Sequence, residues 1–500
     1  MADQPSVTRQ SAPERVPTGV PGLDVILQGG LLRGASCLVL GEPGTGKTTL
    51  GNQLAYYHAG TGEVALYVTV VAEAHDRMLV HVSGFEFFDP QLVAHRVHYL
   101  SLVHQLSEDG LPGALAEIRR LVRDHQAKML IIDGASRFED YADSLPAYRR
   151  FVAELLAQLA ILNCTTVLLT QPDGDDGTLN SIGTLVDAIV LLEDRSIGVR
   201  DARLLRVLKL RGSASLRGRH EFAITDRGVE VYPRLEAAPI PARPTQPSRQ
   251  KRCPFGIDGL DKMLGGGVLS GSTTLVAGPP GIGKTTLGLH FVAEAAHRGE
   301  QGMVATFGEA PERLIAKADG LGLDLGRHVA EGRVQIRWQP SADRPLDAWV
   351  GEVLAAVRTD HPQCLVIDGL SELTGLATFP ERLPAFLATL GHAMRAEGVA
   401  TLVTAETPTV EETGLVIPLP EAAATLDNAI LLRYVEPRSR LHRLISILRV
   451  HQSGFDPGVR EFTITNHGIE VASTGASAES VLTEVSHLPT SSDRSEGDQE

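Results

Sequence analysis

The chain has 500 residues, of which 43% are hydrophobic and 21% charged, and this balance excludes a mainly disordered, collagen-like or coiled-coil protein. At about 150 residues per domain, the length predicts roughly three domains. The formal net charge of −15 makes nucleic acid an unfavourable partner, because an acidic surface repels a phosphate backbone.

Cysteine usage and the apolar pattern indicate a reducing compartment. Cys37, Cys164, Cys253 and Cys364 show no metal-type spacing, and the apolar surroundings of three of them predict buried free thiols. The first 16 residues contain no apolar signal core, and no run reaches about 18 apolar residues. We therefore expect a cytoplasmic protein without a membrane span.

The chain contains two copies of one sequence pattern. The segment GEPGTGKTTLG at 41–51 returns as GPPGIGKTTLG at 278–288, a shift of 237 positions. Four further blocks recur in the same order: 19–24 at 256–261, 128–136 at 363–371, 185–195 at 425–435, and 220–231 at 460–471. Five ordered matches predict two domains in place of the three that length alone suggests.

Within each copy, apolar strands alternate with helical stretches. In chain order the first copy shows a strand, a glycine loop and a helix start in SCLVLGEPGTGKTT, then strands in VALYVTVV, MLIIDG and TTVLLT, and AIVLLED opens a closing run of strands. Aliphatic strands bounded by helices predict an α/β fold with a mainly parallel sheet buried between helices. The last segments, RLLRVLKLRGS and HEFAIT, lack a helix between them and predict an antiparallel hairpin at the sheet edge.

Composition sets the predicted boundaries. We predict a disordered N-terminus at 1–16, a first domain at 17–235, a linker at 236–252, a second domain at 253–472 and an acidic disordered tail at 473–500. The linker has four prolines and few apolar residues, which favours an extended, solvated connection. Its excess of basic residues leaves a nucleic-acid-binding arm as the alternative.

Both copies contain the pattern G-x4-G-K-T, at 41–48 and 278–285, between an apolar strand and a helix start. Glycines let such a loop bend so that backbone N–H groups surround phosphates, and the helix N-terminus adds positive potential. The lysine of the pattern contacts the β- and γ-phosphates. The predicted ATP-binding residues are Gly41, Glu42, Pro43, Gly44, Thr45, Gly46, Lys47, Thr48, Thr49, Gly278, Pro279, Pro280, Gly281, Ile282, Gly283, Lys284, Thr285 and Thr286.

A magnesium ion is expected beside each loop. Thr48 and Thr285 follow the loop lysines, and a hydroxyl at this position ligates Mg²⁺. Asp133 and Asp368 end the apolar strands MLIID and CLVID, at the position where a carboxylate holds the ion through water. The alternative for each aspartate is an ordinary polar residue at a strand end.

The order of these motifs, from residue 18 to residue 471, resembles the KaiC family of RecA-like ATPases, including the hairpin motifs LKLRGS and EFxIT. The resemblance implies two tandem RecA-like P-loop NTPase domains, each with a C-terminal β-hairpin. It also implies a homo-oligomer of two stacked hexameric rings, with ATP between neighbouring subunits, and a KaiB-like or other signalling partner.

By this resemblance, Lys209 and Arg211 of LKLRGS would reach phosphates bound by the adjacent subunit. A cation supplied in this way neutralises charge that develops on the γ-phosphate. In the second copy Arg449 takes the lysine position and can still serve as a cation, whereas His451, in the arginine position, is mostly neutral at pH 7. The alternative is a surface hairpin with solvated basic residues.

The family's hydrolytic carboxylates form a glutamate pair after the second strand, where one of them polarises the attacking water. The second copy reads TFGEAP at 306–311, so the first glutamate is replaced by Gly308 and Glu309 is the predicted base, unless it is a solvated strand-end residue. The first copy reads TVVAEA at 69–74 and has lost both positions; Glu73, one residue later, is a further candidate. We expect tight ATP binding at both sites and slow turnover, faster at the second.

The family phosphorylates itself on adjacent hydroxyl residues, whose positions here are Ala423 and Ala424. Thr425 is the nearby hydroxyl, so a phosphorylation cycle is not expected. Two other functions stay open. A scaffold in which nucleotide only holds the rings together is favoured by the damaged glutamate pair, and a DNA-acting recombinase or helicase is disfavoured by the net charge.

Overall fold

A computed structural model describes residues 14–70, 75–172, 181–198, 200–238, 251–340, 344–407, 426–438 and 440–486. The chain divides into two compact units, Met1–Ala238 and Pro239–Glu500. Within the ranges just given, no helix is both long and apolar enough to cross a membrane.

The first unit contains eleven strands and five α-helices in its described part. The strands are β1 Arg15–Val16, β2 Leu31–Leu32, β3 Ser36–Gly41, β4 Ala65–Thr69, β5 Val97–Ser101, β6 Met129–Asp133, β7 Thr165–Thr170, β8 Ala188–Ile197, β9 Arg200–Leu210, β10 His220–Thr225 and β11 Gly228–Tyr232. The helices are α1 Pro21–Ile26, α2 Lys47–Gly60, α3 His75–Val82, α4 Val103–Asp124 and α5 Leu145–Ile161.

Nine of these strands form one sheet in the order β11-β10-β9-β8-β3-β7-β6-β4-β5. The six strands from β8 to β5 in that order pair in parallel, whereas β9, β10 and β11 add antiparallel strands at one edge. Strand β3 lies in the middle, and all its residues are buried. Because side chains alternate along a strand, Cys37 and Val39 pack in the core that contains α2, and Leu38 and Leu40 pack in the core that contains α4 and α5.

The second unit repeats this plan. Its strands are β12 Arg252–Cys253, β13 Val268–Leu269, β14 Thr273–Gly278, β15 Gly302–Thr306, β16 Val334–Trp338, β17 Cys364–Asp368, β18 Ala400–Glu406, β19 Asn428–Val435, β20 His442–Arg449, β21 Arg460–Thr465 and β22 Gly468–Val471. Its helices are α6 Asp258–Met263, α7 Lys284–His297, α8 Pro311–Asp319, α9 Leu325–Ala330, α10 Leu346–Asp360, α11 Leu370–Leu376, α12 Leu383–Glu397 and α13 Ala476–Ser486.

Taken in the same direction as the first sheet, the nine-stranded sheet of the second unit has the order β22-β21-β20-β19-β14-β18-β17-β15-β16. Each strand therefore has its equivalent in the first sheet. The predicted α/β architecture, with a mainly parallel sheet, flanking helices and a C-terminal hairpin in each copy, is confirmed. Cys37, Cys164 and Cys364 are free and buried, as predicted, and Cys253 is free and buried too. Burial, together with the nearby Asp187 carboxylate, raises the pKa of the Cys37 thiol to about 12.

Two segments differ from the composition-based picture. Arg252, placed at the end of a solvated linker, lies in β12 and donates to the carbonyl oxygens of Leu264 at 2.9 Å and Gly267 at 2.7 Å. The region predicted as a disordered tail contains α13, where Ala478 and Val481 are buried. The overall composition of the tail did not predict this helix, because only a few apolar side chains at helical spacing are needed to pack it on the sheet.

Candidate functional site

The first phosphate-binding loop joins β3 to α2. Gly44 and Gly46 have φ angles of +85° and +96°, a region that favours glycine. A Cβ atom on Gly46 would lie 2.6 Å from the Cδ1 atom of Ile224, so the closing hairpin also requires glycine there. The Lys47 Nζ atom donates to the carbonyl oxygens of Gly41 at 2.6 Å and Glu42 at 2.9 Å, which holds the ammonium group within the curve of the loop.

The second loop has the same geometry between β14 and α7. Gly281 and Gly283 have φ angles of +74° and +119°. The Lys284 Nζ atom donates to the carbonyl oxygens of Gly278 and Pro279, both at 3.0 Å. Burial lowers the pKa of Lys284, and the nearby carboxylates oppose that shift, as they do at Lys47.

The threonine and aspartate predicted to hold magnesium meet in both units. The Thr48 hydroxyl donates to Asp133 Oδ2 at 3.0 Å, and the Thr285 hydroxyl donates to Asp368 Oδ2 at 2.9 Å. No cluster of three or more His, Cys, Asp or Glu side chains suited to a metal occurs in the described ranges. A hydroxyl and one carboxylate nevertheless fit Mg²⁺, which in nucleotide sites completes its oxygen shell with phosphates and water.

Each aspartate has a further hydroxyl partner that the motifs did not predict. Tyr67 of β4 donates to Asp133 Oδ2 at 2.7 Å. Thr404 of β18 donates to Asp368 Oδ1 at 2.7 Å. The sequence signal for both is weak, because they lie inside apolar strands and their contact depends on how the strands pair.

A cavity of about 690 Å³ opens over the first loop, within the range for small-molecule sites. Residues of 43–49 line it, together with Asp133 and the turn that follows β6. Gln171, just after β7, and Ile224 of the closing hairpin complete the lining. The cavity therefore brings the predicted phosphate-binding and metal-binding residues of the first unit to one space.

The basic residues predicted to act on a neighbouring subunit do not meet the phosphate loop of their own unit. Lys209 pairs opposite Ile189 near the start of β8, and its Nζ atom donates to the carbonyl oxygens of Gly183 at 3.1 Å and Thr184 at 3.2 Å. Arg211 donates to the Thr184 carbonyl at 3.0 Å. In the second unit Arg449 likewise pairs with the first residues of β19.

The predicted glutamate base lies on the loop after β15. Thr306 ends that strand opposite Asp368, so the loop leaves the sheet at the edge where the phosphate loop lies. The Glu309 carboxylate accepts from Lys317 Nζ of α8 at 3.2 Å, and its side chain is 38% exposed. Glu73 and the acceptor positions 423–425 lie outside the described residues.

The fold and the paired sites define a tandem RecA-like P-loop protein, and comparison with known proteins identifies the family. A model of the KaiC ATPase matches residues 16–236 and 253–476. The chain belongs to the KaiC ATPase family, as its motifs had indicated.

The relatives resemble the chain over nearly its full length. The circadian clock oscillator protein KaiC of Parasynechococcus marenigrum is 27% identical, over 98% of this chain and 96% of its own. That of Picosynechococcus sp. is 27% identical, over 94% and 92%. The circadian clock oscillator protein KaiC 1 of Synechocystis sp. is 25% identical, over 96% and 93%.

Proposed function

We propose that this protein binds ATP with Mg²⁺ at both phosphate loops and hydrolyses it slowly, faster at the second site. The observation that carries the proposal is the repeated geometry of lysine, threonine and aspartate in the two units. Lys47 and Lys284 hold the β- and γ-phosphates, and each threonine–aspartate pair holds the ion. When bound, Mg²⁺ neutralises charge on the transferred phosphoryl group.

The proposal includes a homo-oligomer, a hexamer by family resemblance, whose nucleotide-dependent conformation is recognised by a KaiB-like or other signalling partner. Support comes from the strand direction, because Lys209 and the phosphate loop of its own unit lie at opposite ends of the strands. A cation at that end can act on ATP when a neighbouring subunit presents its loop there. The named relatives are clock oscillator proteins, which supports a signalling role.

A nucleotide-held scaffold is the second candidate. It is favoured by the glycine at position 308 and by the ion pair of Glu309 with Lys317, which together leave the glutamate motif without an unengaged carboxylate in the second unit. In that case ATP would stabilise assembly without being consumed.

Three proteins separate the two functions: the wild type, Lys47→Ala and Lys284→Ala. Light scattering after size exclusion, with and without ATP and Mg²⁺, measures assembly, and phosphate release on the same samples measures turnover. We expect each substitution to remove one site's share of turnover. Assembly that depends on ATP while no phosphate is released from the wild type would establish the scaffold instead.

The same phosphate-release assay tests Glu309, the general base that the glutamate motif predicts. Glu309→Gln keeps the shape of the side chain and removes its ability to accept a proton. A steady-state rate equal to that of the wild type would show that Glu309 is not the base.

A further inference from the structure

A carboxylate outside the glutamate motif lies beside the phosphate-binding lysine of the second unit. Strand β18 pairs in parallel with β14 so that Glu406 stands opposite Gly278, the first residue of the loop. The Thr407 N–H donates to the Gly278 carbonyl at 3.1 Å and continues this pairing. The Glu406 carboxylate is thereby placed 3.9 Å from Lys284 Nζ.

Other carboxylates near this loop are Asp368, Glu309 and Glu372. Asp368 accepts from Thr285 and Thr404, and Glu309 accepts from Lys317, whereas Glu372 raises the pKa of Lys284 less strongly than Glu406 does. The side chain of Glu406 is 53% exposed, so water reaches it. Among the negative charges that raise the pKa of Lys284 against the effect of burial, Glu406 acts most strongly.

The first unit has an amide at the matching position. Thr170 pairs opposite Leu40 just as Ala405 pairs opposite Ala277, so the next residue, Gln171, takes the place of Glu406. Gln171 lines the cavity of about 690 Å³ over the first loop. A glutamine can orient a water molecule, but its amide does not accept a proton as a carboxylate does.

We infer that Glu406 accepts the proton of the attacking water at the second phosphate loop. This inference rests on the ATP hydrolysis proposed above. Because the loop lysine contacts the β- and γ-phosphates, a carboxylate 3.9 Å from its Nζ atom lies within reach, directly or through one water, of a water aligned on the γ-phosphorus.

The step is a hydrolysis in which every atom is supplied by water and ATP. The water oxygen forms a bond to the γ-phosphorus, and the water proton passes to the Glu406 carboxylate. The bond between the γ-phosphorus and the β–γ bridging oxygen breaks, and its electron pair leaves with ADP. Glu406 then returns its proton to phosphate or solvent.

The test is Glu406→Gln, made in the wild-type chain and in Lys47→Ala, where the second site alone turns over. We expect kcat for phosphate release at that site to fall by about 10²-fold, the usual contribution of a general base. Binding of a fluorescent non-hydrolysable ATP analogue should be retained, which shows that the loop is folded. The reciprocal variant, Gln171→Glu in Lys284→Ala, should raise kcat at the first site.

Two results would overturn the inference. If Glu406→Gln binds ATP more tightly with unchanged kcat, and Glu309→Gln abolishes turnover, Glu406 is a counter-ion that the γ-phosphate displaces. If Lys284→Ala keeps the full rate, the second site does not hydrolyse ATP and Glu406 has no such role. The proposed function itself fails separately, when the wild type releases no phosphate or when the rate survives in both lysine variants.

Discussion

Asp133 and Asp368 occupy the same position in the two repeats, yet different strands hold them. Tyr67 reaches Asp133 from β4, whereas Thr404 reaches Asp368 from β18 on the opposite side. Burial, together with the Asp133 carboxylate, holds the pKa of Tyr67 well above its usual value, so the phenol remains a neutral donor. A partner of this kind fixes the orientation of a metal-binding carboxylate.

Tyr67→Phe should therefore weaken magnesium binding at the first site. We expect the Mg²⁺ concentration for half-maximal phosphate release to rise by about tenfold or more when the variant is made in Lys284→Ala. Tyr99→Phe is the matched control, because the Tyr99 hydroxyl donates to Asn52 at 2.7 Å instead. An identical Mg²⁺ requirement in Tyr67→Phe and its parent would rule out this orienting role.

A buried ion pair distinguishes the second unit at the level of single residues. Arg382 donates to the two carboxylate oxygens of Asp347 at 2.6 and 2.8 Å, and their side chains are 8% and 0% exposed. The pair joins the start of α10 to the turn before α12. At the shift of 235 positions that relates the blocks 128–136 and 363–371, the corresponding residues of the first repeat are Pro112 and Ala147, so the pair is not repeated there.

Asp347→Ala should destabilise the second unit by about 3–5 kcal/mol, because it leaves the arginine buried without its counter-charge. Urea unfolding followed by intrinsic fluorescence measures the change. The double variant Asp347→Leu with Arg382→Met should recover most of the loss, since an apolar pair has no charge to bury. A loss below about 1 kcal/mol in Asp347→Ala would mean that the guanidinium finds other partners.

At the scale of elements, the helix after each phosphate loop is hydrogen-bonded to the last strand of the closing hairpin, β11 in the first unit and β22 in the second. Gln53 of α2 accepts from the Val229 N–H at 2.8 Å, and His290 of α7 accepts through Nε2 from the Ile469 N–H at 2.9 Å. A Cβ atom on Gly228 would lie 2.7 Å from the Gln53 side chain, so the hairpin approaches the helix closely because its turn has glycine. In each unit this hydrogen bond joins the closing hairpin to the helix that begins at the phosphate loop.

Because the second unit makes this hydrogen bond through His290, its stability should decrease in acid. Burial lowers the pKa of His290 from 6.5 to about 4, so between these values the unfolded chain takes up a proton that the folded chain does not. Stability present above pH 6.5 is therefore lost as the pH falls towards 4, by up to about 1.4 kcal/mol per pH unit. His290→Gln, which copies the first unit, should remove this component.

Denaturant midpoints of the wild type and His290→Gln at pH 7 and pH 5 check the sign. The difference between the two proteins isolates this group from other titrating residues. If both lose stability equally between these pH values, the histidine contributes no acid sensitivity.

Local motifs and distant pairings were not equally predictable from the sequence. The phosphate loops and the aspartate that ends β6 were predictable because motif chemistry depends on neighbours in sequence. The position of Glu406 beside Lys284 was not, because it arises when β18 pairs with β14, and the sequence does not specify that register. The composition also gave a wrong environment for Arg252. Its charge predicted a solvated side chain, whereas its guanidinium group donates to the backbone carbonyls of Leu264 and Gly267.

For the whole molecule, the direction of the strands separates the two groups that the proposed site would combine. Gly41, at the end of β3, lies opposite Leu192, whereas Lys209 lies opposite Ile189 and bonds carbonyls that precede β8. The phosphate loop and the basic end of the hairpin therefore lie at opposite ends of the strands of one unit. In the proposed arrangement, a second copy of the chain supplies the cation.

This arrangement predicts complementation between two inactive variants. In a Lys284→Ala background, Arg211→Ala keeps the first phosphate loop and loses the cation, and Lys47→Ala loses the loop function and keeps the cation. Each alone should release little phosphate from the first site, because charge on the γ-phosphate is left without one of its stabilising groups.

The two variants are then mixed without nucleotide and assembled with ATP. The mixture should recover part of the activity, since some interfaces join an intact loop to an intact Arg211. Light scattering confirms that the mixture assembles as the parent does. Recovery is impossible if Arg211 acts on the loop of its own chain, because no subunit in the mixture carries both groups.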